Sequence, residues 1–174
     1  MSQNGKPVLM LLAASSYREE EYLAARRALE QRGNRVLVAS TVKKDAVGTN
    51  GNSIDPDLMI DDVRPEDYAG VVIIGGHGAS QFWHDVKAHK IIRKLFDSGQ
   101  IVAAIDRAPV ALGVAGILKG KRVTGHMSVF EKLVNFGAHY TAKKVERDGN
   151  IVTGEGANAS TAFAEALAQA FNGQ

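Results

Sequence analysis

The chain has 174 residues, 45% of them hydrophobic and 23% charged, the balance of an ordinary globular protein with one domain, residues 1–174, and a sizeable core. Its 21 Lys and Arg against 19 Asp and Glu give a net charge of +2. This is too near neutral to point to nucleic acid, and Lys43-Lys44 and Lys143-Lys144 read as solvated pairs. The absence of cysteine excludes disulfides and thiol catalysis and leaves the redox compartment open.

Residues 7–13 (PVLMLLA) form a continuous apolar run, as expected for a strand covered on both faces. Residues 19–32 read as a helix with Tyr22, Ala25 and Leu29 on one face and Gly33 as its stop. Residues 35–40 are a second strand. Residues 41–68 are turn-rich, and Asn50-Gly51 predicts a small antiparallel excursion. A buried strand at 70–74 ends in Gly75-Gly76-His77-Gly78. Val86, Ile92, Leu95 and Phe96 mark a helix that stops at Gly99. Residues 101–105 form a strand running into a sharp turn at Asp106, and 108–115 continue as a helix, the shape of a nucleophile elbow. A short strand follows at 122–124, then a helix from a Ser128 cap through Phe136. Two strands, 145–148 and 151–153, flank the tight turn at Gly149. The last helix covers 160–171, with Asn158-Ala159-Ser160 read as its cap. No repeat, linker or low-complexity stretch interrupts the pattern.

Alternating strands and helices imply a three-layer α/β fold of the flavodoxin-like kind, a mostly parallel sheet with helices on both faces. Ligands bind such sheets beyond the carboxyl ends of the strands. The loop after the first strand, the Gly75–Gly78 loop and the Asp106 turn all reach that edge. The first residues show no charged-then-apolar signal pattern and no apolar run approaches ~18 residues, so the expected location is cytoplasmic, away from membranes. His84 and His89 are five apart, a poor helical spacing for shared ligation, and no metal or cofactor is expected. The glycines near residue 76 do not continue as a dinucleotide fingerprint, because Gln81 holds the third glycine position.

Six stretches carry a family likeness: Tyr17-Arg18-Glu19-Glu20-Glu21, Gly75-Gly76-His77-Gly78, Ala103-Ala104-Ile105-Asp106-Arg107-Ala108-Pro109, residues 115–124 (AGILKGKRVT), Asp148-Gly149-Asn150 with the following IVT, and residues 162–165 (AFAE). On these the chain resembles, nearly end to end, the ThiJ/PfpI superfamily and within it the PfpI-like intracellular protease/glyoxalase branch, which has the class I glutamine amidotransferase-like fold. The family elbow reads Ala-Ile-Cys-His-Gly-Pro. Here Asp106, Arg107 and Ala108 replace its cysteine, histidine and glycine. The family's glyoxalase, deglycase and protease activities rest on a thiolate, so cysteine peptidase or glyoxalase chemistry is not expected of this chain.

The resemblance places Glu21 beside the elbow residue. Two carboxyls held that close share a proton, one pKa rises, and the pair supplies an acid and a base. The backbone N–H groups of Gly76 and Arg107 match the family's oxyanion site. His126 is a candidate proton shuttle in place of the missing elbow histidine. His77 and Tyr17 are candidate pocket-lining residues. The alternative reading of Asp106 is a helix cap neutralised by Arg107. The expected function is a cofactor-independent lyase of hydratase type, or a hydrolase, acting on a small molecule through Asp106 and Glu21. The alternative is a non-catalytic binding or chaperone-like stress protein that has lost the thiol chemistry. The resemblance also implies a homodimer or larger assembly with pockets near the interface, and Phe82, Trp83 and His84 are candidate interface residues.

Overall fold

The structure, a computed structural model, describes residues 5–173. The reading of the leading segment as free of a signal therefore falls largely on residues outside those described. In chain order the elements are β1 (Val8–Leu11), β2 (Ser15–Tyr17), α1 (Glu19–Gln31), β3 (Val36–Ser40), β4 (Ala46–Gly48), β5 (Ser53–Ile54), β6 (Leu58–Met59), β7 (Gly70–Ile73), α2 (Val86–Asp97), β8 (Ile101–Ile105), α3 (Pro109–Val114), β9 (Arg122–Val123), α4 (Phe130–Asn135), β10 (His139–Tyr140), β11 (Val145–Asp148), β12 (Ile151–Gly154) and α5 (Ser160–Phe171).

The main sheet has seven strands in the order β11-β12-β8-β7-β1-β3-β6. All its pairings are parallel except β11 with β12. Its central register aligns Leu9 with Leu37 and Val71, and Val102 with Val71 and Ile151. Every residue of β1, β7, β8 and β12 is buried. This is why these strands read as unbroken apolar runs: both faces are covered, so no solvated side exists to impose alternation. Helices α1 and α5 pack against each other, while α2, α3 and α4 form the other group, and β8 touches helices of both. The fold is the mixed α/β, flavodoxin-like architecture expected from the sequence.

The excursion at 46–54 is present: β4 and β5 pair antiparallel around Asn50-Gly51, and β4 also pairs parallel with β2. Strands β2, β6 and β10 were not expected. Two or three residues carry no usable period, and only long-range pairing defines them. Residues 77–83 form a 3-10 helix rather than loop. Two expected caps are corrected. The turn before α4 is capped by the His126 ring, whose Nδ1 accepts the Ser128 N–H, and Ser128 lies inside that turn. No side chain caps α5, and Ser160 Oγ instead donates to the Ala157 carbonyl. Among the described residues, no helix is long and apolar enough to cross a membrane.

Candidate functional site

The elbow is built by buried β8 running into Asp106, which holds φ at 66°, and by Pro109 opening α3. Left-handed backbone at a non-glycine residue costs about 1 kcal/mol or more, and Asp tolerates it better than most. The turn is held by its neighbours. Asp106 N–H donates to the Gly154 carbonyl at 3.0 Å, and His126 N–H donates to the Asp106 carbonyl at 2.8 Å. The side chain thus stands at the carboxyl edge of the sheet, where β7, β8 and β12 end.

The Asp106 carboxyl is 1% exposed. Its Oδ2 accepts the Gly76 N–H at 2.9 Å and pairs with Arg107 Nη1 at 3.1 Å. Its Oδ1 has no hydrogen bond among the described residues and lies 3.1 Å from where a Cβ on Gly156 would stand. Glu21, from the first turn of α1, is also 1% exposed. Its Oε2 accepts the Gly75 N–H at 2.9 Å, while its Oε1 is buried with no partner. Burial first, and the Asp106 charge second, push the Glu21 carboxyl up to about 8 against the opposing pull of the Gly75 N–H and Arg18. At neutral pH Glu21 is therefore mainly a neutral acid beside an aspartate that takes the hydrogen bonds of an anion.

Two glycines make this approach possible. A Cβ on Gly75 would collide with Asp106 Cβ and the Ile105 carbonyl and stand 2.6 Å from Glu21 Oε2. Gly76 holds φ at 98°, and a Cβ there would stand 2.6 Å from the Ser16 carbonyl oxygen. The expected oxyanion site is altered in one respect. The Gly76 N–H already serves Asp106 Oδ2, so the aspartate side chain fills the position where a developing oxyanion would sit.

Asp106 opens onto a cleft of about 430 Å³ lined also by Arg18, His126, Met127, Glu155, Gly156, Ala157 and Asn158. His126 is half-buried, and its Nδ1 accepts from Ser128, which leaves Nε2 as the proton-bearing nitrogen. The other expected residues lie elsewhere. His77 is exposed in a separate depression with Ser15, Ser16, Ser80, Gln81 and His84. Tyr17 is buried in the core, where its hydroxyl donates to the Asn52 carbonyl at 3.3 Å and its ring meets Tyr22 edge-on. Phe82 is fully buried. Trp83 Nε1 donates to the Arg107 carbonyl at 2.9 Å, which braces the elbow from behind. Glu19, in the first turn of α1, is buried and accepts the Asn50 N–H at 2.8 Å. Among the described residues, no group of three or more His, Asp or Glu is placed to hold a metal.

Arg18, Glu155 and Gly156 were not singled out from the sequence, and Asn158 was read only as part of the last helix's cap. Arg18 stands inside the quoted acidic stretch, which carried the family likeness without giving it a role of its own. Gly156 follows a buried strand at the carboxyl edge, the one signal that could have pointed to it.

A three-layer α/β domain with a strained elbow facing a buried carboxyl defines the class of proteins built around a nucleophile turn. The chain matches the DJ-1/PfpI family over residues 6–170, and it belongs to that family. It is 38% identical over 149 residues to an uncharacterised protein of Methanocaldococcus jannaschii, covering 84% of this chain and 73% of that one. It is 31% identical over 145 residues to the protein named deglycase PfpI of Pyrococcus furiosus, covering 83% and 87%. Among solved structures, a ThiJ/PfpI domain protein of Brachyspira murdochii superposes with a TM-score of 0.93 at 27% identity, over 97% of each chain. Drosophila melanogaster DJ-1beta superposes with a TM-score of 0.89 at 28% identity, over 100% of this chain and 92% of that one.

Proposed function

We propose that the protein is a cofactor-independent small-molecule lyase or hydrolase in which Asp106 is the general base and Glu21 the acid behind it. The observation that carries this reading is the division of labour within the pair. Asp106 Oδ2 is fixed by Gly76 and Arg107, Oδ1 is left free toward the cleft, and Glu21 is held neutral. His126 lines the same cleft and is the proton shuttle in this scheme. Deglycase, the name of the Pyrococcus furiosus relative, points to hydrolase-like chemistry. A chain without cysteine would have to run it by acid–base catalysis.

The test is turnover of a panel of small hydroxy- and oxo-compounds in D₂O, followed by NMR. Turnover should vanish in Asp106→Asn and should decline in wild type as pH rises through about 8, where Glu21 loses its proton. A specific observation favours a second reading. Asp106 occupies the Gly76 donor and pairs with Arg107, as a capping residue in a retired site would. No turnover across the panel would favour that non-catalytic binding role.

A homodimer is part of the proposal. Phe82 is in the core and cannot serve as an interface residue, but half-buried Trp83 borders an apolar depression with Val110, Val114 and Phe136. Val114, Phe130 and Val134 are exposed nearby on α3 and α4, a surface suited to a second copy. The cytoplasm remains the proposed location.

A further inference from the structure

Arg18 sits at the start of α1, its backbone pinned on both sides: its N–H donates to the Gly75 carbonyl at 3.0 Å, and its carbonyl accepts the Tyr22 N–H at 3.1 Å. Its side chain lines the cleft beside Asp106. Its Nε is buried without a hydrogen bond, and its guanidinium forms no ion pair among the described residues. Arg107, the other cation at the elbow, is engaged by Asp106 at 3.1 Å. A guanidinium with a desolvated, unpaired N–H is a costly arrangement that a planar anion relieves with two parallel hydrogen bonds. Asn158 and His126 line the same cleft and add further polar groups. Glu155 also lines it and forms no ion pair among the described residues, so a second anionic group on the ligand would meet uncompensated repulsion.

We propose that this cleft takes a small monocarboxylate, with Arg18 binding the carboxylate and so presenting the rest of the molecule to Asp106 Oδ1. The inference names the substrate class of the acid–base site and rests on that reading of the cleft. The cleft, at about 430 Å³, lies within the range of small-molecule sites. Glu155 makes the preference one for a single charge. Arg18 is a specificity residue here, since it holds the ligand and moves no proton.

The test is an NMR titration of the backbone amides with L-lactate, lactamide and malonate at pH 7. Lactate should shift the Gly156, Ala157 and His126 amides saturably and bind at least about tenfold tighter than lactamide or malonate. Arg18→Gln should abolish the preference, and Arg18→Lys should keep part of it. Because the guanidinium has no hydrogen bond or ion pair among the described residues, Arg18→Gln should fold. Should it not, the wild-type comparison of lactate with lactamide still decides. Lactate binding no tighter than lactamide, a preference that survives Arg18→Gln, or no saturable shift with any of the three would overturn the proposal. Wild-type turnover separates the two claims: preferential lactate binding by a wild type that turns over nothing in the panel would keep the ligand class while the acid–base reading falls.

Discussion

A carboxyl group with one oxygen on a backbone N–H and the other buried on nothing is most stable as the acid, and Glu21 is in that position. Its value rises from 4.5 when free to about 8 when folded. The folded state therefore holds a proton that the unfolded chain releases between those values. This contribution to stability is fully present below about 4.5 and is lost as pH rises through about 8, at about 1.4 kcal/mol per pH unit within the window. Denaturant unfolding across that range should show the decline, and Glu21→Gln, a permanently neutral analogue, should flatten it. An equal slope in both proteins would contradict the assignment. Glu21→Ala leaves the buried Gly75 N–H unpaired and should cost about 1–3 kcal/mol beyond the lost packing. At this scale the sequence was informative about Asp106 and Glu21, because the family likeness aligns them. It was silent on Arg18, whose importance lies in a guanidinium without a partner among the described residues, and it misplaced Tyr17, whose hydroxyl finds the Asn52 carbonyl only once the β4–β5 hairpin folds over it.

The elbow is an element that stores strain to present a side chain. Asp106→Gly should be more stable than Asp106→Ala by about 1 kcal/mol, because glycine accepts a φ of 66° without a Cβ clash. Thermal unfolding of the two variants measures the difference, and equal stability would mean that the turn relaxes freely. Gly156 guards the other side. A Cβ there would stand 3.1 Å from Asp106 Oδ1, so Gly156→Ala should fold normally and lose ligand binding or turnover. Without a thiol, methylglyoxal conversion should not exceed that of a heat-killed control. Conversion that disappears in Asp106→Ala would show the carboxylate doing covalent work. The long elements were legible because buried parallel strands and amphipathic helices write their period over many residues. The caps at Ser128 and Asn158 were not, since the groups that satisfy those turns come from backbone carbonyls and a histidine ring.

At the scale of the molecule, the site exists only because separate parts of the chain converge at one sheet edge: the start of α1, the loop after β7, the turn after β8 and the loop after β12. The exposed face of α3 and α4 extends this to assembly. Light scattering at micromolar concentration should give a dimer, and Val114→Glu, at a residue 44% exposed, should weaken it. A monomeric wild type would contradict the proposed assembly. Trp83→Glu should disturb the pocket as well, through the lost bond to the Arg107 carbonyl. The most direct test of the central claim is carboxyl-carbon NMR titration of Glu21 in wild type and in Asp106→Asn. The coupled pair predicts a Glu21 midpoint at about 8 in wild type that falls when the Asp106 charge is removed. A Glu21 midpoint near its ordinary value of 4.5, unmoved by Asp106→Asn, would contradict the account.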